Sequence, residues 1–242
     1  MKFSAQSDIG QVRELNEDSY IVFEAGGHGY MVVADGMGGH NAGEVASLCT
    51  VNIIKDYICE NPHGDVAELM KASIREANDF VYAKSRSDEQ YSYMGTTVVL
   101  CSVRKGAVYF ANVGDSRGYL INEMGIRQIT DDDSIVSQLV KNGEITPEEA
   151  KSHPQRNVIT KAVGTEEDIE PALYRASCKP GDIAVLCSDG LTEFVDDEEI
   201  CSIIKEYGTD EGVSLLMKLA NDRGGYDNIT VAAAVVDEVN EG

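Results

Sequence analysis

The sequence predicts an α+β fold in which antiparallel sheets are packed together and helices cover them from outside. Strand-like runs come in groups, and helical periodicity is confined to two blocks that each contain a pair of segments. Such grouping favours antiparallel sheets over a doubly wound parallel sheet, in which strands and helices would alternate one for one. The length of 242 residues and the absence of a linker-like tract predict a single domain over residues 1–242.

Runs rich in β-branched and apolar residues are predicted as strands. They cover residues 2–6, 19–23, 30–34, 96–103, 107–113, 119–122, 172–176, 182–187 and 229–236.

Two pairs of helices are predicted from apolar positions spaced three and four residues apart. In the first pair the apolar faces are Val45, Leu48, Cys49, Ile53 and Tyr57, and then Val66, Leu69, Met70, Ser73, Ala77, Phe80 and Val81. Asp65, followed three residues later by Glu68, indicates an N-terminal cap for the second of these helices. The later pair covers about 198–207 and 210–221, with Ile200, Ile203 and Ile204, and then Val213, Leu216, Leu219 and Ala220, as apolar faces.

Residues 131–164 differ from the rest and predict a protruding flap. A short helix over 134–141 ends at Asn142-Gly143, and a second begins at Thr146-Pro147 with a cap, a proline at the first helical position and acids in the first turn. The outer surface of both helices is polar, so the segment is expected to stand away from the core.

Composition excludes several function classes. Lys and Arg number 20 against 42 Asp and Glu, which gives a net charge of −22. Such a surface repels nucleic acid and anionic lipid, so neither is an expected partner. The start has no apolar leader and no stretch reaches roughly 18 apolar residues, which predicts a cytoplasmic protein. The six cysteines lack Cys-x-x-Cys spacing and are expected to be reduced and buried.

Aspartates flank the apolar runs in a way that indicates a metal site. Asp35-Gly36, Gly114-Asp115 and Ser188-Asp189-Gly190 each end such a run, and Asp227 precedes the last one. A residue leaving a sheet can hold a charge at the rim, and a neighbouring glycine lets the backbone approach an ion. Any single Asp-Gly pair would be an ordinary turn. Several oxygen donors without matching His or Cys suit Mg or Mn, so two divalent ions and phosphate chemistry are predicted.

The loop over residues 7–18 combines one cation with acids directly before a strand. Arg13 is predicted to bind a phosphate through its forked guanidinium. Glu17 and Asp18 are suited to hold waters around a metal. Standing alone, the segment would be interpreted as a solvated charged loop.

Six motifs occur in order along almost the whole chain: Arg13-x-x-Asn16-Glu17-Asp18, Asp35-Gly36-Met37-Gly38-Gly39-His40, Gly95-Thr96-Thr97, Asn112-Val113-Gly114-Asp115-Ser116-Arg117, Ser188-Asp189-Gly190-Leu191 and Asp227-Asn228-Ile229-Thr230. Together they resemble the metal-dependent protein serine/threonine phosphatases of type 2C, and the bacterial members in particular. Each motif is weak alone, but six in this order form a specific signal.

The resemblance implies a four-layer sandwich, two antiparallel sheets between helix pairs, with a binuclear Mg or Mn centre at one end. Asp35 would bridge both metals and the Gly36 carbonyl would bind one of them. Asp189 and Asp227 would complete the other. Asp115, with Asp189, would hold a third and weaker ion.

The resemblance also implies the remaining roles. Glu17 and Asp18 would act through water, Arg13 would bind the phosphate, and Asn228 would orient Asp227. A bridging water that has lost its proton would attack phosphorus in line. Phosphoproteins are the implied substrates and a serine/threonine kinase the implied counterpart, and a monomer is expected.

The chain departs from relatives at two positions. Eukaryotic members carry a histidine two residues after the bridging aspartate, where this chain has Met37, so the leaving-group proton would come from another source such as a metal-bound water. Many relatives open the flap with Asp-His-Ser, and here the stretch is Asp132-Asp133-Ser134. His40 is interpreted as a loop or packing residue, and His153 as part of the flap structure.

Rival classes fit less well. Asp131-Asp132-Asp133 resembles the start of an EF-hand, but Val136 and Asn142 stand where glycine and glutamate are needed, so the triplet is interpreted as a solvated turn that caps the flap helix. Cys101 and Arg104 lack the spacing of a cysteine phosphatase. A phosphoaspartyl hydrolase would need a second acid after Asp35 or Asp189. The alternative left open is a catalytically weak module that binds phosphoproteins on the same fold.

Overall fold

Two antiparallel sheets lie face to face, and helices cover the outer face of each. The computed structural model describes residues 1–38, 42–87 and 89–237. One apolar core lies between the two sheets. Each sheet also shares one further core with the helices that cover its outer face. The predicted α+β, four-layer sandwich is therefore confirmed.

The first sheet has five strands, and its most buried strand is the last in the chain. The order across the sheet is β1 (Lys2–Asp8), β11 (Ile229–Val235), β10 (Ile183–Cys187), β7 (Arg117–Asn122) and β8 (Gly125–Gln128). All neighbouring pairs are antiparallel. Because β11 has a strand on each side and a core on each face, it forms a continuous apolar run.

The second sheet is built around a tight hairpin. The order is β2 (Asp18–Ala25), β3 (His28–Met37), β5 (Val98–Arg104), β6 (Ala107–Val113) and β9 (Ala172–Ser177), with the short β4 (Gly95–Thr96) paired to the end of β3. Gly26 and Gly27 join β2 to β3 with φ of 58° and 76°. Positive φ at both positions matches the twist of a two-residue hairpin, and it fixes Asp18 opposite Asp35.

Helices cover the sheets in two groups. α1 (Ala42–Glu60) and α2 (Val66–Ser87) pack on the second sheet. Asp65 caps α2 as predicted, since its Oδ1 accepts from the backbone N–H groups of Ala67 and Glu68. α6 (Asp197–Asp222) packs on the first sheet and breaks at Gly208, where φ is 74°, so it supplies the two predicted helical segments.

The predicted face of α1 was wrong by about one position. Leu48 is 51% exposed, whereas Ala46, Thr50, Ile54 and Ile58 are fully buried. The first turns of α1 bury small residues, such as Gly43 and Ala46, because they lie close to β3, and the larger Ile54 and Ile58 are buried further along. The other predicted residues flank this face and are partly buried. In α2, Phe80 is likewise 47% exposed.

A short strand and a single helical turn are among the elements that were not predicted. Strand β8 has four mostly half-exposed residues, and α5 (Asp189–Thr192) is a single turn after β10. Neither is long enough to show a period in the sequence. Predicted strand 96–103 is divided in the structure into β4 and β5 at Thr97.

The segment 131–164 contains α3 (Ile135–Lys141) and α4 (Pro147–Lys151), neither of which has a buried residue. Thr146 caps α4 as predicted, and with Glu149 it forms a capping box. The interpretation of Asp131-Asp132-Asp133 as a solvated capping turn was wrong. Ser134 caps α3, and Asp132, only 14% exposed, forms a forked ion pair with Arg117.

Four of the six cysteines are buried and all six are free thiols, which agrees with their prediction as small packing side chains. Among the described residues, no helix combines the length and the apolar character needed to cross a membrane.

Candidate active site

Five aspartates meet at one end of the sheets because the strands that carry them all begin or finish there. In an antiparallel sheet, the end of one strand and the start of its neighbour lie at the same edge. Asp18 opens β2 opposite Asp35 in β3, and the others lie in the turn between β6 and β7, directly after β10 and directly before β11, as Asp115, Asp189 and Asp227.

Ser188 ties the two sheets together at this end. Its hydroxyl donates to Oδ2 of Asp18 at 2.7 Å and accepts from the backbone N–H of Thr230 at 3.0 Å. Asp18 belongs to the second sheet, whereas Ser188 and Thr230 belong to the first. The bond therefore holds the buried Asp18 carboxylate in place beside Asp189.

Four aspartates at this end, Asp18, Asp35, Asp115 and Asp189, have raised pKa values because they are enclosed by protein and lie near other acids. Burial raises the pKa of Asp18 and of Asp115 to about 7 and that of Asp189 to about 6, and neighbouring aspartates add to each shift. Burial, and then the charge of Asp18, raises the pKa of Asp35 well above its usual value. Burial likewise raises the pKa of Glu17. Sites that resist negative charge in this way are stabilised by a bound cation.

Two buried carboxylate oxygens have no hydrogen-bond partner among the described residues. They are Oδ1 of Asp18 and Oδ1 of Asp189. Buried acceptors are normally satisfied, and a carboxylate oxygen that the protein leaves without a donor is suited to bind an ion or a water. Oxygen donors of this kind fit Mg or Mn.

Gly36 lies at a junction that leaves no room for a side chain. A Cβ there would lie 2.2 Å from the carbonyl oxygen of Gly43 in α1 and 2.5 Å from that of Glu17. The Gly36 N–H also donates to the Glu17 carbonyl at 3.1 Å. The glycine thus lets β3, the Glu17 loop and α1 meet directly beside Asp35.

The threonines of the Gly95-Thr96-Thr97 motif hold Asp35 in place. The Asp35 N–H donates to the hydroxyl of Thr97 at 3.0 Å, and its carbonyl accepts from the Thr96 hydroxyl at 2.8 Å and the Thr97 N–H at 2.9 Å. Thr97 is in turn hydrogen-bonded to Ser116 at 2.7 Å, next to Asp115. The backbones that carry the two aspartates are therefore joined.

Arg13 lies at the open side of the cluster and pairs with Asp227. Its Nη2 donates to Oδ2 of Asp227 at 2.7 Å, and the two side chains are 47% and 28% exposed. Partial burial opposes the charge of Arg13, but Asp227 outweighs it and the net effect raises the pKa of Arg13. A permanent cation is thus placed beside the acids.

Asn228 anchors the loop that carries Arg13 and Glu17. Its side chain accepts from the Glu17 N–H at 2.8 Å and donates to the carbonyl oxygens of Ile9 and Leu15 at 2.9 and 3.0 Å. The contact with Asp227 comes from the Asn228 backbone N–H, at 2.8 Å. The side chain therefore fixes the loop, and the backbone orients Asp227.

The predicted residues gather without forming a closed cage. In the parts of the chain that the structure describes, no three His, Cys, Asp or Glu side chains surround one point as ready metal ligands. Asp227 is bound to Arg13, and bare carboxylates repel one another. His40 lies outside the described residues, and His153 lies in the flap, where its Nδ1 accepts from the Gln155 N–H.

Reasoning from the sequence missed the supporting roles of Thr97, Ser188 and Asp133. Asp133 accepts from the backbone N–H of Gly114, the residue before Asp115. Thr97 and Ser188 belong to motifs that the sequence did contain, so their position next to aspartates was the available signal. For Asp133 only the tertiary contact reveals the role.

Comparison with known proteins points to one family. A family model described as protein phosphatase 2C matches residues 10–212. The serine/threonine phosphatase stp of Listeria monocytogenes serotype 4b is 38% identical over 243 residues, which cover 98% of this chain and 96% of that protein. The serine/threonine protein phosphatase PstP of Mycobacterium tuberculosis is 38% identical over 242 residues, 100% of this chain.

The chain spans 46% of the length of that PstP relative. A crystal structure of the catalytic domain of serine threonine protein phosphatase PstP in complex with two manganese ions matches with a TM-score of 0.87 and 36% identity, over 98% of both chains. The order of the motifs, the sandwich and these similarities agree. The chain belongs to the protein phosphatase 2C family.

Proposed function

We propose that this chain is a protein serine/threonine phosphatase that hydrolyses phosphoserine and phosphothreonine in proteins with the help of two Mn or Mg ions. The observation that carries the proposal is the gathering of Asp18, Asp35, Asp115 and Asp189 at one sheet end with raised pKa values. Buried acids that resist joint ionisation are typical of functional cation sites. The manganese complex of PstP supports the choice of metal.

The donor set fits such ions. Asp35, Asp189 and Asp227 would hold the pair, together with the carbonyl of Gly36, and the unpartnered Oδ1 of Asp189 is one free donor. Asp115 would hold a third and weaker ion with Asp189. When bound, the ions would lower the pKa of a water and neutralise phosphate charge.

The protein's own residues would supply binding and orientation. Arg13 is exposed enough to meet a phosphate, and its guanidinium carries donors beyond the Nη2 that binds Asp227. Glu17 and Asp18 would hold water near the ions, Asp18 in the orientation set by Ser188. Thr96 and Thr97 would keep Asp35 fixed while charge moves at the site.

A direct test measures hydrolysis of an aryl phosphate and of a phosphothreonine peptide with Mn, with Mg and after chelation. We expect turnover with Mn that chelator abolishes and added Mn restores. Asp115→Ala should keep two tightly bound ions and lose most of the rate, whereas Asp131→Ala, on the exposed flap root, should behave as wild type. Binding of the phosphopeptide without turnover at any metal concentration would instead establish the weak binding module.

The wider setting follows from the same proposal. Phosphoproteins would be its substrates, a serine/threonine kinase would produce them, and the chain would act as a single domain and a monomer. Cross-linking or light scattering during turnover would detect any larger assembly.

A further inference from the structure

Asp133, at the root of the flap, is bonded to the loop that carries Asp115. Its Oδ2 accepts from the Gly114 N–H at 3.2 Å, and its own N–H donates to the Gly114 carbonyl at 2.9 Å. Asp133 therefore holds both backbone polar groups of Gly114, the residue directly before Asp115. Such a reciprocal pair constrains the backbone more than either bond alone.

Asp133 also holds the far end of the flap. Its Oδ1 pairs with Nζ of Lys161 at 3.2 Å, and its carbonyl accepts from the Thr160 N–H at 2.7 Å. The carboxylate is 20% exposed, which makes its contacts less screened than those of a surface pair. The two ends of the flap and the Asp115 loop thus meet at this single side chain.

Gly114 needs such support. It has φ of 103°, and a Cβ there would lie 2.7 Å from Cβ of Thr97, so only glycine fits and the backbone is intrinsically free to rearrange. Asn112 adds a bond to the Gly114 carbonyl at 2.9 Å. The Gly114 N–H, in contrast, donates its hydrogen bond to the carboxylate of Asp133.

We propose that Asp133 is a positioning residue that joins both ends of the flap to the Asp115 loop and so sets the metal affinity of Asp115. Movement of the flap would then change how well Asp115 binds an ion. The claim that Asp133 affects ion binding by Asp115 rests on the proposed function. The claim that Asp133 connects the flap to the Asp115 loop rests on the described contacts alone.

The contact can be separated from the charge by choice of variant. Asp133→Ala removes the side-chain bond to the Gly114 N–H and the pair with Lys161, and it keeps the backbone bond to the Gly114 carbonyl. Asp133→Asn removes the negative charge but keeps an oxygen that can accept from Gly114. Lys161→Met removes only the ion pair between Lys161 and Asp133. Asp131→Ala is the matched control on the same turn, because it loses an exposed ion pair with Lys141.

The first measurement is amide hydrogen exchange of the metal-free protein, which needs no activity. We expect exchange at Gly114 to be about tenfold faster in Asp133→Ala, the loss expected for a charge-assisted hydrogen bond. Exchange should be only slightly faster in Asp133→Asn, which keeps a neutral acceptor, and near wild type in Lys161→Met and Asp131→Ala. Unchanged exchange at Gly114 in Asp133→Ala would show that Asp133 does not hold the Asp115 loop, whatever reaction the chain catalyses.

The second measurement is Mn binding followed by electron paramagnetic resonance, with Asp115→Ala marking which phase belongs to Asp115. We expect Asp133→Ala to weaken that phase about tenfold and leave the tight pair unchanged, and Asp133→Asn to restore most of it. Equal weakening in both variants would mean that charge alone acts, and it would overturn the positioning role. Wild-type protein without Mn binding would refute the proposed function and leave the exchange result standing.

Discussion

At the scale of single residues, the site is a set of acids that the fold forces together before any cation is present. Asp18 is buried and held by Ser188, and Asp35 lies opposite it on the next strand. Each of these two carboxyl groups would ionise at a lower pH if the other acids were not close to it. The folded chain therefore carries an electrostatic cost at this end that a bound cation would offset.

Asp35→Asn should separate function from stability. An amide cannot neutralise two dications as a carboxylate can, so we expect hydrolysis to fall by a factor of about 100 or more. The metal-free protein should melt at the same or a higher temperature, because a repulsive charge has been removed. Steady-state kinetics and thermal melts would check this, with Asp131→Asn as control. Wild-type turnover in Asp35→Asn would disprove the metal role.

Arg13→Ala should act mainly on substrate binding. Arg13 is half exposed beside Asp227, which suits a phosphate contact made in both ground and transition states. We expect KM for an aryl phosphate to rise roughly tenfold with a smaller change in kcat, and Arg13→Lys to recover part of it because lysine keeps the charge without the fork. A loss confined to kcat would contradict the role of Arg13 in binding the phosphate.

At the scale of elements, the junction of β3 and α1 determines where Asp35 lies. Gly36 and Gly43 bring the strand, the helix and the Glu17 loop into backbone contact. This packing also explains why the first turns of α1 bury small residues. The start of the helix is placed by close backbone approach, and Ile54 and Ile58 pack into the core further along.

Gly36→Ala should therefore be severe. Its Cβ would lie 2.2 Å from the backbone oxygen of Gly43, which can be relieved only by moving α1 away from β3. We expect a loss of about 2–4 kcal/mol in unfolding free energy, measured by urea denaturation. Gly64→Ala is the control, since the added Cβ would lie 3.6 Å from its nearest neighbour, the carbonyl oxygen of Asn61, which is an ordinary contact. Equal stability of the two variants would show that the junction is loose.

The elements also show what the sequence could and could not predict. Strand β6 has the predicted bounds of 107–113, and the caps of α2 and α4 were predicted, because each depends on neighbours in sequence. The buried face of α1 and strand β8 were not, because they depend on what packs against them. For the site, local Asp-Gly pairs indicated the aspartates, but the contact between Asp133 and Gly114 spans 19 residues and has no local signature.

At the scale of the whole molecule, the net charge of −22 adds to the local repulsion between the acids. The two sheets and their helices have three apolar cores, so the sandwich does not depend on the site for its packing. The acidic end is held in place by that packing. Its protonation should consequently appear as a pH dependence of global stability.

The metal-free protein should lose stability as pH rises from 5.5 to 8. The pKa values of Asp18 and Asp115 are raised to about 7 and that of Asp189 to about 6, so the folded chain binds these protons more tightly than the unfolded chain, whose aspartates titrate at about 4. The resulting stabilisation is present in full below about pH 4 and is lost as pH rises through the folded values. Exposed acids with lowered pKa values, such as Glu170 and Asp210, make stability rise with pH, but only below pH 5.5.

Thermal melts would measure the effect. We expect the midpoint of the metal-free protein to fall by roughly 3 °C or more between pH 5.5 and 8, and Mn to raise it more at pH 8, where the acids are ionised and free to bind. Asp18→Asn should flatten the metal-free profile, because it removes one of the titrating groups and the repulsion on Asp35. A profile that rises with pH without metal, or an equal slope in the variant, would show that these acids do not control stability.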